Sequence, residues 1–259
     1  MTAAVGHVFE HRALEYKRVW RGSIFNSFLA PVMFLAAMGL GLGGFVDSSG
    51  GIEALGVPYL VFLAPGLLAA TCMQTAAFES TFPILGGLVW NKVFHAMYAT
   101  PAEPRDIALG NLLWIALRVT LVATMFTIVM VLFGAASSPL VVLAIPAGIL
   151  TGMAFAGPIA AFAATQKTMD KFNAVFRFGI TPLFLFSGSF FPVERLPDFL
   201  EPVAWVTPLY HGVALARGLS LGTASDEPLV ALIHVAVLLA FAVGGAIATV
   251  AAVERRLIR

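Results

Sequence analysis

Glu79 and Arg118 are the two ionisable residues that fall well within long apolar runs, with Arg177 near the end of another. A charge at the centre of a bilayer-crossing helix costs at least ~2.5–3.5 kcal/mol, so each needs a partner, a watery cavity or the headgroups. Helical side chains lean toward their own N-terminus. If the two runs cross in opposite directions, Glu79 and Arg118 lean toward each other and can form an intramembrane pair. The alternative is that each snorkels or finds backbone carbonyls separately. Other chemistry is sparse. His7, His11, His95, His211 and His234 are scattered without metal-ligand spacing. No Gly-x-x-x-x-Gly-Lys-Ser/Thr occurs, so the chain has no P-loop to cradle a nucleotide. Gly39, Gly41, Gly43 and Gly44 imitate a glycine-rich fingerprint but lie inside an apolar run. Gly188 sits between two serines without forming Gly-x-Ser-x-Gly. These absences point to a non-catalytic chain with no metal or cofactor of its own.

The elements that must position these residues are membrane helices. The chain is 59% hydrophobic and 11% charged, against about 25% charged for an ordinary soluble domain. Its net charge of +1 argues against a nucleic-acid partner. The single Cys72 excludes an intrachain disulfide. A charged N-terminus followed by an apolar run long enough to span leads to the expectation of no cleavable signal.

Apolar runs predict six spans near residues 24–46, 59–82, 107–133, 140–164, 174–190 and 229–253, the fifth being short for an ~30 Å hydrocarbon core. Lys and Arg concentrate in the N-terminal segment, in the loops holding Lys92, Arg105, Lys167 and Lys171, and at the C-terminus. The positive-inside rule then predicts that both termini are cytoplasmic. Before the first span, Val5, Val8, Phe9, Tyr16, Val19 and Trp20 recur at helical spacing, which suits an amphipathic helix over residues 1–23 lying in the interface. An ordinary basic juxtamembrane tail is the other reading. Gly39-xxx-Gly43 and Gly148-xxx-Gly152 allow close helix approach.

Two segments between spans stand out. On the cytoplasmic side, residues 84–99 have a short amphipathic pattern built on Leu88, Phe94 and Tyr98 with Trp90, Asn91, Lys92 and His95 among them. A helix there is too apolar for water alone and requires either the bilayer surface or another protein. On the outer side, residues 187–218 begin at Ser187-Gly188-Ser189 and carry Pro192, Pro197, Pro202 and Pro208. Proline costs about 3 kcal/mol inside a helix, so no continuous span can cross this stretch. Phe190, Phe191, Leu196 and Phe199 nevertheless make it apolar. Short helical pieces dipping into the outer membrane fit both facts, and an interfacial plug is the plainer reading.

The run Thr181-Pro182-Leu183-Phe184-Leu185-Phe186-Ser187-Gly188-Ser189-Phe190-Phe191-Pro192-Val193, with Leu196-Pro197 and Thr207-Pro208-Leu209-Tyr210-His211, resembles the "SG-x-x-FP-x-x-x-LP … PL-x-H" signature of type-2 ABC exporter permeases of the NodJ-like and daunorubicin-exporter kind. Thr100-Pro101 with Arg105-Asp106-Ile107-Ala108-Leu109-Gly110 resembles that family's loop before the third span. The resemblance implies an all-α integral membrane protein of the bacterial cytoplasmic membrane. It has a six-span transmembrane domain over residues 24–259 and re-entrant helices between spans five and six. It also implies a second permease, a copy or a sibling chain, and two separate ABC ATPase subunits that hold the ATP and Mg. Under it, Leu88, Trp90, Asn91, Lys92, Phe94, His95 and Tyr98 belong to the helix that couples to the ATPase. Phe184, Phe186, Phe190, Phe191, Leu196 and Phe199 line the path and exit for an amphiphilic cargo such as a drug, lipid or lipid-linked saccharide. The competing functions are an ion-coupled secondary transporter, which calls for more buried carboxylates at mid-span, and an intramembrane enzyme or assembly factor, which calls for a polar catalytic cluster.

Overall fold

The computed structural model describes residues 3–44, 56–197 and 199–258, and all regular structure among them is helical. Helix α1 (Ala3–Tyr16) is followed by α2 (Trp20–Leu35), which runs on through a π-helical segment, Ala36–Gly43. Helix α3 (Tyr59–Leu85) likewise continues as a π-helical turn, Gly86–Trp90, before the short α4 (Val93–Tyr98). Next come α5 (Pro104–Leu132) and α6 (Ala144–Thr165), the latter entered through a 3₁₀ turn, Pro139–Leu143. An unbroken rod follows, made of α7 (Asp170–Val175), a π-helical turn (Phe176–Ile180) and α8 (Thr181–Phe186). Three short elements, a 3₁₀ turn at Val193–Arg195, α9 (Glu201–Val206) and α10 (Pro208–Leu221), lead to the long α11 (Pro228–Ile258).

Five of these helices are long and apolar enough to cross a membrane: Trp20–Gly39, Tyr59–Trp90, Pro104–Leu132, Pro139–Thr165 and Pro228–Ile258. The rod from Asp170 to Phe186 reaches only about 25 Å at ~1.5 Å per residue, short of the hydrocarbon thickness. The chain is therefore an all-α, multi-pass membrane protein with several long apolar helices. The expected first span at 24–46 starts earlier, at Trp20, and its end at Val46 lies outside the described residues.

Helix α3 is the centre of the packing, contacting α5, α6 and α10. Lipid tails are as apolar as leucine, so helices in a membrane gain mainly from close van der Waals contact, which small residues permit. Ala69, Ala70, Cys72, Ala76 and Ala77 on α3 are fully buried. Facing them, a Cβ on Gly148 would lie 3.0 Å from Cys72 Sγ, and one on Gly152 would lie 2.7 Å from Val119 of α5. The tightest crossing, between α6 and α11, was not read from spacing. Gly157 meets Gly245 backbone to backbone, and the Thr249 hydroxyl donates to the Gly157 carbonyl at 2.8 Å. Most of α2 and α11 remains exposed, as expected of faces that meet lipid or another subunit.

Two expectations need correcting. The N-terminal helix stops at Tyr16 instead of running to residue 23, because a turn (Val19 N–H to Tyr16 C=O, 2.9 Å) redirects the chain and Trp20 opens α2. Residues 84–99 do not form one separate helix. Up to Trp90 they extend α3, and only Val93–Tyr98 stands apart, after Lys92 takes the left-handed conformation at φ +52°.

Candidate functional site

Glu79 and Arg118 are brought together by the antiparallel crossing of α3 and α5. Arg118 Nε donates to Glu79 Oε1 at 3.0 Å, with only 12% and 17% of the two side chains exposed. Sequence reasoning missed the third member. Arg118 Nη1 donates to Tyr16 Oη at 2.8 Å, and the guanidinium lies 4.6 Å from the centre of the Tyr16 ring. Tyr16 reaches that depth because α1 packs on the start of α5. Val5 and Val8 are buried, Phe9 and Tyr16 meet Trp114 at 5.9 and 5.4 Å, and Arg12 Nε donates to Asn111 at 2.9 Å. The apolar face of the N-terminal helix thus rests on α5. A periodic pattern shows that such a face exists but cannot say what covers it.

The pair opens onto a cavity of about 570 Å³ between α2, α3, α5 and the α7–α8 rod. One part of its wall is polar, with Ser23, Ser27, Thr71, Gln74, Thr75 and Thr181, and another is aromatic, with Phe78, Phe176 and Phe184. Hydroxyl and amide groups beside a buried ion pair can hydrogen-bond a polar group, while the phenyl faces receive an apolar one.

At the far end of the rod the chain breaks where the serines and glycine predicted a stop. Gly188 takes φ +83°, a left-handed conformation that glycine adopts without steric cost. Arg217 Nη2 then donates to the Gly188 carbonyl at 2.8 Å and Nε to the Phe62 carbonyl at 3.2 Å, with the guanidinium 3.7 Å from the Phe62 ring centre. Ser189 Oγ reaches the Gly66 carbonyl at 3.4 Å. The break is thereby fastened to the start of α3 by a residue 29 positions away, with no local sequence signal to mark it.

The six aromatic and aliphatic residues expected at the exit separate into three groups. Phe184 and Phe190 meet edge to face at 5.0 Å beside Phe34. Leu196 is buried with Val193 and Ala204 in a small core against which Phe191 packs. Phe186 and Phe199 point away from this chain, Phe199 with 73% of its surface exposed. Phe199 is left uncovered by its own chain, because α9 beside it is one short helix with only Ala204 turned inward.

The residues proposed for coupling also divide. Leu88 and Phe94 are buried anchors, the Phe94 ring lying where any Cβ on Gly87 would have to be. Trp90, Asn91, Lys92, His95 and Tyr98 are exposed. His211 and His234, scattered in sequence, meet with Nδ1 atoms 2.7 Å apart, linking α10 to α11. Among the described residues no cluster of three or more His, Cys, Asp or Glu could hold a metal.

The comparisons with known proteins agree on one family. Residues 7–221 match the ABC-2 type transporter family. The chain is 32% identical over 251 residues to Nodulation protein J of Sinorhizobium fredii, covering 97% of this chain and 93% of that protein. It is 31% identical to Nodulation protein J of Rhizobium leguminosarum bv. viciae, covering 97% and 94%, and 31% identical to that of Bradyrhizobium diazoefficiens, covering 97% and 93%. With several apolar helices around a central one, a break where the signature run predicts it and a family match across most of its length, the chain belongs to the ABC-2 type transporter family as a multi-pass permease of the bacterial plasma membrane.

Proposed function

We propose that this exporter permease moves an amphiphilic substrate, and that the cavity beside Glu79 and Arg118 receives it. The observation that carries this reading is the divided wall of that cavity, with hydroxyl and amide groups on one part and Phe78, Phe176 and Phe184 on another. A drug, lipid or lipid-linked saccharide has the same division. The rod from Asp170 to Phe186 serves as a short sixth crossing. The stretch from Ser187 to α10 forms a re-entrant cap over the outer exit, and both termini are cytoplasmic.

The chain carries no P-loop, so the energy comes from two separate ABC ATPase subunits. Their docking surface is the exposed group Trp90, Asn91, Lys92, His95 and Tyr98, held in place by Leu88 and Phe94. Closure of the ATPase pair shifts α4 and the end of α3, and the population moves from inward-facing to outward-facing states. A second permease completes the pathway along the exposed faces of α2 and α7–α8. An ion-coupled carrier is less well supported, because the one carboxylate well within a described span, Glu79, is engaged by Arg118.

Purification in mild detergent tests this reading. An ATP-hydrolysing partner should accompany the protein, and Trp90→Ala should release it and lower ATP-dependent export while the permease keeps its melting temperature. A Trp90→Ala permease that retains its partner and full export would remove this surface from the coupling path. Export that proceeds without any ATPase would overturn the proposal.

A further inference from the structure

We propose that the cavity behind the break at Gly188 binds a small zwitterion, with an anionic group and a primary ammonium a few bonds apart. The cavity has a volume of about 280 Å³, and its wall includes Phe62, Gly188, Glu194, Tyr210, Arg217 and Thr223. Arg217 spends Nε on the Phe62 carbonyl and Nη2 on the Gly188 carbonyl, both neutral acceptors. Among the described residues its Nη1 has no hydrogen bond, and no carboxylate lies within 4.0 Å of the guanidinium. Glu194, in the same wall, likewise has no cation within 4.0 Å among them. Arg195, next to it in sequence, does not line the cavity. One cavity thus holds a positive and a negative group that do not touch.

This separation selects the guest. A lone anion at Arg217 is opposed by the Glu194 charge, and a lone cation at Glu194 is opposed by Arg217. A molecule carrying both charges satisfies each wall. Glu194 is exposed and Arg217 half-buried, so the carboxylate stands nearer the mouth and the guanidinium deeper. The anionic group therefore goes in first, onto Nη1, and the ammonium stays at Glu194 as a donor to its carboxylate. Burial and the charges of Glu194 and Glu201 raise the Tyr210 phenol above its ordinary value, and Arg217 partly offsets them. The phenol thus stays protonated and can donate to the anionic group, with the Thr223 hydroxyl as a further donor or acceptor. The volume falls below the ~300–1,000 Å³ of pockets for drug-sized ligands, which limits the guest to a headgroup or a molecule of amino-acid size. A guest held at both ends ties the 3₁₀ turn Val193–Arg195 to α10, and so fastens the proposed exit cap. The side of the membrane from which it comes rests on the orientation proposed above. Its binding does not.

The detergent-purified protein, with any ATPase that accompanies it, tests the site without requiring transport. Phosphoethanolamine should bind in isothermal titration and raise the melting temperature. Glycerol 3-phosphate, which lacks the ammonium, and ethanolamine, which lacks the anion, should each bind roughly 10-fold more weakly or worse, as loss of one charge-assisted hydrogen bond implies. Glu194→Gln should weaken phosphoethanolamine by a similar factor without weakening glycerol 3-phosphate. Because Glu194 is exposed and has no ion pair within 4.0 Å among the described residues, this variant should melt with the wild type when unliganded. Phosphatidylethanolamine retained by the wild type in native mass spectrometry and lost in Glu194→Gln would identify a lipid headgroup as the guest. Phosphoethanolamine binding with no retained lipid would identify a free solute, and either result supports the site. Glycerol 3-phosphate binding as tightly as phosphoethanolamine, or unchanged phosphoethanolamine affinity in Glu194→Gln, would overturn the proposal and leave the transport reading intact.

Discussion

The Arg217 guanidinium holds the Gly188 carbonyl at 2.8 Å, and the same group holds the Phe62 carbonyl at 3.2 Å. One side chain on α10 therefore fixes the break after the α7–α8 rod to the start of α3. A hydrogen bond from a charged donor contributes about 1.5–3 kcal/mol. Arg217→Ala should lower thermal stability in detergent by an amount of that order and reduce export. Arg217→Lys, able to reach one carbonyl but not span both, should fall between. Equal melting temperatures for all three proteins would remove the clamp from the fold.

The Glu79–Arg118 pair is buried with Tyr16 as a third partner. Removing one member leaves the other charge without compensation, at a cost of roughly 3–5 kcal/mol. Glu79→Ala and Arg118→Ala should each destabilise strongly, and the double variant should recover much of the loss. Tyr16→Phe, which deletes one hydrogen bond and keeps the ring over the guanidinium, should cost about 1 kcal/mol. Strictly additive melting shifts in the double variant would show that the two charges do not depend on each other.

Residues 191–200 provide a direct probe of the proposed exit cap. In a Cys72→Ser background, Phe199→Cys should react readily with a membrane-impermeant thiol reagent added outside, because Phe199 is exposed. Leu196→Cys, buried in the small core with Val193 and Ala204, should react slowly and accelerate when ATP is trapped on the partner. Reaction only from the cytoplasmic side would reverse the assigned orientation. Rates that ignore nucleotide would reduce the cap to a static plug.

His211 and His234 share one short contact, Nδ1 to Nδ1 at 2.7 Å, with Tyr210 edge-on to both rings. One proton can lie between the two nitrogens, but two cannot. Burial pushes the His211 imidazole below its ordinary value of 6.5, an effect partly offset by a hydrogen bond with the Trp205 backbone. The unfolded chain therefore takes up a proton at a higher pH than the folded one, so stability falls as pH drops through 6.5 and stops falling below the folded value. Melting temperature should decline from pH 7.5 to pH 5 by more in the wild type than in His211→Gln. Identical pH profiles would show that the pair does not respond to protons.

Composition and apolar run length were enough to establish a multi-pass helical membrane protein, because the hydrocarbon core imposes length and internal backbone hydrogen bonding on any segment that crosses it. The stop at Ser187-Gly188 was also legible, since proline and glycine act locally on the backbone they occupy. Glu79 and Arg118 could be singled out by the cost of burying charge, and the lean of helical side chains indicated how they could meet. Tertiary structure alone decided what lies across from each residue. Tyr16 joins the ion pair because α1 rests on α5. Arg217 finds Gly188 because α10 packs on α3. His211 reaches His234 because α10 also packs on α11. Contacts across 102, 29 and 23 residues depend on how helices cross, and a 3.6-residue period records only which face of a helix is apolar. For the same reason the sequence could place Phe199 in an apolar stretch but could not show that its own chain leaves it uncovered.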